Sequence, residues 1–280
     1  MIFSPLIVQL QSLQVIGAFL FALVMAFISY KIKAISLSGA AGMVAIGTVV
    51  FGLGGVIFTI PLLFFFISST LLSIVKNNAK RRTLQSVEKA GSRDIWQVLA
   101  NGGPGAICVL MYFGADNIIW FFPYLASICE AASDTWATEI GTLYRGSPRS
   151  IVTLESVPPG QSGGLSILGS VAAIGGALAT MLVTLIADKY FLQGTSLPIN
   201  YWLVAANCGL AGCILDSILG GSLQGQYYCE VCRRSTESEI HCGKPGKLNR
   251  GYRFVNNDIV NFASTIFAAA IAALLIFYGR

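Results

Sequence analysis

Residues 13–30 read LQVIGAFLFALVMAFISY, and no charged side chain occurs anywhere from Met1 to Tyr30. A helix needs about 20 mostly apolar residues to cross the hydrocarbon core of a bilayer, so this stretch predicts a membrane-spanning helix. A cleaved secretory leader would begin with a basic segment; none is present, and the segment is expected to be retained. Working outward, further runs predict helices near 36–52, 55–75, 102–114, 117–139, 164–187, 201–222 and 257–278. The fourth is short, and the second and third share the turn Gly52-Leu53-Gly54-Gly55. The expectation is an all-α, polytopic transmembrane bundle of about eight helices, between seven and nine. It is read as one transmembrane domain over residues 1–280, with a basic loop at 76–101 and a Cys/His-containing loop at 223–256.

Composition agrees with this. The chain is 55% hydrophobic and 11% charged, whereas a soluble domain carries roughly 25% charged residues. Its net charge of +5 would hint at nucleic acid in a soluble protein, but the placement of the charges points to a lipid surface and no nucleic-acid partner is expected. Basic residues mark cytoplasmic loops. Of the 18 Lys and Arg, 16 fall in the alternate loops 31–35, 76–101, 140–163 and 223–256, leaving Lys189 and Arg280 on the other side. Both termini are therefore expected outside and the long loops in the cytoplasm, in a bacterial-type inner or a thylakoid membrane.

Acids inside membrane helices are costly and mark function by default. The fifth run ends in Glu130-Ala-Ala-Ser133-Asp134-Thr135-Trp136-Ala-Thr138-Glu139, where Glu130, Asp134 and Thr138 recur every four residues and share a helix face. The seventh run carries Asp216-Ser217, and the eighth opens with Asn256-Asn257-Asp258 and then Asn261. The bland reading is interhelical hydrogen bonding and capping. The functional reading is a site at the cytoplasmic rim. The fifth and seventh runs are weakly alike, which raises a possible weak internal repeat with Asp134 and Asp216 as equivalents. Two facing carboxylates there suit Mg²⁺, which takes oxygen ligands together with substrate phosphates.

Helices entering from the same side begin at Ser36-Leu-Ser38-Gly39, at Asn101-Gly102-Gly103-Pro104-Gly105, after Pro158-Pro159-Gly160-Gln161-Ser162-Gly163-Gly164, and at Asn256-Asn257. Free N–H groups and the helix dipole favour anions at such ends. As a set they read as a polyphosphate site, where glycine lets a phosphate approach the backbone. The run Lys76-Asn77-Asn78-Ala79-Lys80-Arg81-Arg82 is either a lipid anchor or a source of Lys80, Arg81 or Arg82 to neutralise phosphate. Ordinary capping and close helix packing are the alternatives for the glycines.

In the 223–256 loop, Cys229-x-x-Cys232 precedes His241-Cys242. This is zinc-ligand spacing, although adjacent His241 and Cys242 reach one metal only from a bent backbone. Structural zinc and unliganded or redox-active thiols both stay open. Cys108, Cys129, Cys208 and Cys213 lie in apolar runs as small buried hydrophobes.

The set ASDTWATEIG at 132–141, VPPGQSGG at 157–164, LDSILGGSLQ at 215–224, the Cys-x-x-Cys…His-Cys loop and NND at 256–258 resembles an integral membrane family that includes the phytyl-phosphate kinase of plants and cyanobacteria. The Asp134 motif also looks like that of CTP-dependent polyprenol kinases and phosphatidate cytidylyltransferases. The resemblance implies transfer of phosphate from a nucleoside triphosphate, CTP by preference, to phytyl phosphate, giving phytyl diphosphate for tocopherol and prenylquinone synthesis. It implies Asp134, Glu139 and Asp216 as catalytic, Mg²⁺-binding residues, with Asn101, Asn257, Asp258 and Asn261 as supporting phosphate-site residues. It also implies Gly163 and Gly164 as meeting phosphate through the backbone. The partners implied are a membrane lipid and a nucleotide. A lipid cytidylyltransferase, a lipid or anion transporter and a non-enzymatic scaffold are the competing readings, and oligomeric state is not legible.

Overall fold

The computed structural model describes residues 5–74, 91–191 and 197–279. Among them lie the helices α1 (Pro5–Lys31), α2 (Leu37–Gly54), α3 (Val56–Ile74), α4 (Ile95–Ala115), α5 (Phe121–Gly141), α6 (Ile167–Phe191), α7 (Ile199–Ser222) and α8 (Asn257–Tyr278). Seven are long and apolar enough to cross a membrane; α5 is the one outside that set. The protein is an all-α, multi-pass integral membrane bundle. The bases of the helices' outward faces match that setting: Leu20, Phe27, Val171, Ile186 and Leu274 are all exposed, as surfaces solvated by lipid require.

α5 fails the hydropathy test because it carries the acids, and it is the centre of the bundle. Every residue from Phe121 to Ser133 is buried, under α3, α4, α6, α7 and α8. Glycines let those neighbours come close, which in lipid replaces the hydrophobic drive that water supplies. A Cβ on Gly176 of α6 would lie 2.8 Å from the Ala132 carbonyl oxygen. On α7, a Cβ at Gly209 would lie 2.5 Å from Cys129 Cβ, and one at Gly212 would lie 2.6 Å from Glu130 Cγ. At one end of the bundle, Phe58, Phe121, Phe122, Tyr124 and Trp202 are almost fully buried. Their rings pack edge-on or tilted, with Phe121 and Trp202 centroids 5.5 Å apart. The Tyr124 hydroxyl donates to the Phe58 carbonyl at 2.5 Å, so its polar tip is satisfied inside this apolar plug.

The turns explain the helix ends. Gly55 alone separates α2 from α3, at φ +74°, with its N–H on the Phe51 carbonyl at 3.0 Å. Ser36 caps α2 and Asn256 caps α8, each accepting a backbone N–H. The fourth helix differs from expectation: it starts at Ile95, not near residue 102. Asp94 caps it in a reciprocal capping box with Gln97. Asn101, Gly102 and Pro104 are therefore interior to a membrane helix, where Gly and Pro are tolerated. Gly102 admits Ile46 of α2, and Gly105 admits Tyr124 and Ser127 of α5. A carboxylate already occupies this helix N-terminus, so α4 leaves the set of anion-ready ends.

The 223–256 segment is not a plain loop. Strands β3 (Gln226–Cys229), β4 (Arg234–Thr236) and β7 (Lys247–Arg250) form an antiparallel sheet in the order β4-β3-β7. β5 (Ile240–His241) and β6 (Lys244–Pro245) form a second small hairpin. Earlier in the chain, β1 (Arg149–Ser150) pairs with β2 (Gly164–Leu165). The latter pair shortens the sixth helix, which begins at Ile167 rather than near 164.

If α5 is held by backbone-close packing, Gly212→Val overfills the α5–α7–α8 junction and costs about 1–3 kcal/mol. Gly17 of α1 has open space around it, so Gly17→Ala is expected to be neutral. Thermal unfolding of the two variants in detergent checks the contrast.

Candidate functional site

A cavity of about 1210 Å³ lies at the end of the bundle opposite the aromatic plug. It sits where α1, α3, α5 and α7 finish and α2, α4, α6 and α8 begin. α5 supplies Asp134, Thr135, Thr138 and Glu139; α7 supplies Asp216 and Ser217; α8 supplies Asn257 and Asn261. Arg93, Gln97 and Asn101 line it from the start of α4, and Gln161 to Gly164 close one wall.

The acids divide into two groups. Asp216 faces Asp134 and Glu130 closely enough for their charges to repel. α8 holds this group by hydroxyls and an amide. Ser264 Oγ donates to Asp216 Oδ2 at 3.1 Å. Thr265 Oγ1 donates to Glu130 Oε2 at 2.7 Å. The Asn261 amide, in the orientation its partners require, donates to Asp216 Oδ2 at 3.1 Å and to the Asn257 carbonyl at 3.0 Å. Among the described residues, Glu130, Asp134 and Asp216 form no ion pair. Glu130 Oε1 and Ser133 Oγ are buried without a hydrogen-bond partner. Carboxylates held inside the bundle without an ion pair are strongly unfavourable, so the oxygens of Asp134 and Asp216 are chemically suited to a hard divalent ion. Asp134 and Asp216 are the two that reach the cavity, which matches the habit of Mg²⁺ to take one or two carboxylates and complete its shell with phosphate and water.

Glu139 lines the same cavity as Asp134 and Asp216 but has partners of its own. Five residues along a helix turn the side chain by about 140°. Glu139 accepts a 2.5 Å bond from Ser73 Oγ and lies in the field of Arg93. Among the described residues, no three acids converge closely enough to share one ion. Arg93 donates to Thr70 Oγ1 at 3.2 Å. Burial pulls its pKa down and the Glu139 charge opposes that; an arginine stays charged throughout.

The other expected residues sort as follows. Asn257 and Asn261 line the cavity, and Asn261 positions Asp216. Asp258 is buried in the first turn of α8 and is not part of the lining. Asn101 lines the cavity from inside α4, with its amide on the Gln97 carbonyl at 2.9 Å. Gly163 and Gly164 line it too, but for reasons of chain geometry. Gly163 adopts φ +77°, and a Cβ there would fall 2.3 Å from Gly221 Cα. The Gly164 N–H is spent on the Gln161 carbonyl at 3.0 Å, so it is not offered to phosphate as expected. Lys80 and Arg81 lie outside the described residues.

Two contributors escaped the sequence reading as site residues, and a third, Glu130, was read there without a role of its own. Glu130 was signalled by its four-residue spacing from Asp134. Arg93 looked like one more basic loop residue. Glu237, which reaches the cavity from the β-module and accepts from Ser162 Oγ, had no signal at all. In that module, the ligand atoms of Cys229, Cys232, His241 and Cys242 lie within 4.8 Å of one another.

Comparison with known proteins places this geometry. The profile of the integral membrane protein family DUF92 matches residues 20–269. The chain belongs to this family. It is 31% identical to Protein PGR of Arabidopsis thaliana, covering 94% of this chain and 98% of that protein. It is 31% identical to an uncharacterized membrane protein of Methanocaldococcus jannaschii, over 70% of this chain and 78% of the relative. Protein VTE6, chloroplastic, of Arabidopsis thaliana is 24% identical over 87% of this chain and 66% of its own length. No solved structure matches the chain. The family match spans α2 to α7 whole and most of α8, and so covers the carboxylates, the cavity and the β-module together.

The hydroxyl clamp on Glu130 yields a test that needs no substrate. Thr265→Val preserves shape but leaves Glu130 Oε2 without its donor, and is expected to cost about 1–3 kcal/mol. Thr265→Ser is expected to retain most of the stability. An unfolding temperature in detergent that is unchanged in Thr265→Val would refute the clamp.

Proposed function

We propose that the protein is a membrane phosphotransferase that adds a phosphate to an isoprenoid monophosphate, phytyl phosphate by preference, using a nucleoside triphosphate such as CTP. The observation that carries this reading is the junction of two spaces. A narrow apolar slot of about 100 Å³ runs beside the polar cavity. Met43, Ile46, Phe51, Leu62 and Phe66 line it, and the four residues Arg93, Gln97, Asn101 and Thr135 line both spaces. From Met43 to Phe51 the slot follows about 12 Å of α2. An amphipathic substrate with one flexible apolar chain and an anionic head suits that shape. Its chain would start in the slot and continue into lipid, with its phosphate beside Arg93 and next to Asp134.

Phosphoryl transfer needs positioning and charge neutralisation more than covalent help. The lipid phosphate is already an anion, so its oxygen attacks the γ-phosphorus without a strong base. The new P–O bond forms as the bond from the γ-phosphorus to the β–γ bridging oxygen breaks, giving the lipid diphosphate and a nucleoside diphosphate. Asp134 and Asp216 would hold Mg²⁺, which when bound supplies neutralisation of the phosphate oxygens. Asn261 and Ser264 fix Asp216 in orientation, Arg93 balances the acceptor phosphate, and the cavity has volume for a nucleotide. With the basic loops taken as cytoplasmic, this mouth faces the cytoplasm or its plastid equivalent, both termini lie on the other side, and soluble nucleotide has access. The phytyl chain, the role in tocopherol and prenylquinone synthesis and the choice of CTP rest on family resemblance. A transporter is less well supported, because the buried aromatic plug closes the far end.

The test uses purified protein, phytyl phosphate, Mg²⁺ and each nucleoside triphosphate. Phytyl diphosphate and nucleoside diphosphate are the expected products; pyrophosphate release instead would indicate a cytidylyltransferase, and no product with any nucleotide would sink the proposal. Asp134→Asn and Asp216→Asn are expected to lower kcat/KM by about 100-fold or more. Glu139→Gln is expected to cost less than either. Arg93→Gln should act chiefly through a raised KM for the lipid phosphate.

A further inference from the structure

The β-module between α7 and α8 has a buried set unlike that of a self-sufficient domain. Its buried side chains are Gln224, Gln226, Tyr227, Cys229, Thr236 and Glu237, mostly polar. Segments this short seldom hold a fold by apolar burial alone and usually need a metal or a disulfide. All seven cysteines of the chain are free thiols.

Two turns of the module present ligands to each other. In the first, Cys229 ends β3 and Cys232 lies in the turn to β4. Arg233 then takes φ +56°, and its N–H closes the turn on the Cys229 carbonyl at 2.8 Å. In the second, His241 ends β5, Cys242 takes φ +52° and Gly243 takes φ +75° before β6. Positive φ is costly for arginine and cysteine and persists where the surroundings impose it. This is the bend that lets neighbouring His241 and Cys242 point the same way. Cys232 Sγ lies 3.5 Å and Cys242 Sγ 3.3 Å from His241 Nδ1. Tetrahedral zinc, with Zn–S near 2.3 Å and Zn–N near 2.0–2.1 Å, sets its ligands about 3.5–3.8 Å apart. Three thiols and an imidazole are soft donors that select Zn²⁺ over Mg²⁺ or Ca²⁺.

We propose that Cys229, Cys232, His241 and Cys242 form a structural Zn²⁺ site, through Sγ of each cysteine and Nδ1 of His241, that holds the β-module against the cavity. The pairing of two ligand-bearing hairpin turns is the arrangement of zinc-ribbon modules. Four protein ligands fill a tetrahedral shell, so the ion has no open position for chemistry and its role is to hold the chain. What it holds is specific. Thr236 and Glu237 lie between the two ligand pairs in sequence, and Glu237 reaches the cavity wall and the Ser162 hydroxyl. On the far strand, Arg250 Nη2 donates to the Gly220 carbonyl of α7 at 3.1 Å. The zinc module thereby ties the Pro158–Gly164 turn to the end of α7, one turn beyond Asp216. The site stands on its own ligands, whatever reaction the cavity performs.

The full-length protein, purified in detergent under reducing conditions, is expected to contain about one zinc per chain by elemental analysis. A Cys229→Ser/Cys232→Ser double variant is expected to lose roughly tenfold or more of that zinc. Replacing zinc with Co²⁺ in the wild-type protein should give the visible d–d and thiolate charge-transfer bands of tetrahedral cobalt, a readout that does not depend on any variant folding. Chelation of the wild type should expose the module's thiols to maleimide and the 223–256 segment to protease, and returning Zn²⁺ should reverse both. A wild-type protein without zinc that gives no cobalt–thiolate bands would overturn the proposal. So would a Cys229–Cys232 disulfide found by mass spectrometry in protein kept reduced, or full zinc retention in the double variant.

Discussion

Three carboxylates inside the bundle, two of them buried and none in an ion pair among the described residues, set the terms for the rest of this molecule. Glu130, Asp134 and Asp216 sit in or against α5, and an unpaired charge facing lipid would be prohibitive. α5 must therefore be wrapped by protein. Wrapping a helix tightly inside a membrane requires small residues on its neighbours, which is why Gly176, Gly209 and Gly212 fall where a Cβ would strike α5. The acids then need donors that do not cancel their charge. α8 supplies hydroxyls and an amide rather than Lys or Arg, which orient the carboxylates without neutralising them.

The fold was largely legible because lipid simplifies the code. A spanning helix must satisfy its backbone internally, so long apolar runs and basic loops almost fix the element list. The places where reading failed are those where another rule took over. Gly102-Gly103-Pro104 reads as a helix start by soluble-protein punctuation, yet α4 runs through it because packing, not turning, is what those glycines serve. The true start carries Asp94 and Gln97, a capping box hidden at the end of a basic stretch. The strands of the 223–256 segment were too short and too polar to stand out.

The site was legible as a set of residues and less so as an arrangement. Four-residue spacing put Glu130 with Asp134, and the cavity gathers Asp134, Asp216, Asn257 and Asn261 as expected. Glu139 lines the same cavity at a different helical angle from Asp134, and Ser73 donates to it there. Gly163 and Gly164 line the cavity as well, and their backbone has a second use. Their freedom of backbone is used to press a turn onto α7, and one N–H is consumed within the turn. Arg93 could not be ranked above its basic neighbours, since only the tertiary fold brings it to the point where the polar cavity meets the apolar slot.

That meeting point also bears on what kind of chemistry the fold favours. A transporter must offer its polar groups to both sides in turn, and so needs a path through the bundle that is open or openable along its length. Here the polar cavity lies at one end, and the other end carries Phe58, Phe121, Tyr124 and Trp202 packed around a satisfied hydroxyl. An enzyme acting on a lipid headgroup has the opposite requirement. It needs a polar chamber at one face, volume for a soluble co-substrate, and a sideways apolar opening that lets the chain stay in lipid while its head enters. The slot along α2 and α3 and the cavity beside it meet at Arg93 and Thr135, one residue from Asp134. An arginine, a threonine and the Asp134 carboxylate therefore come together where the two spaces join.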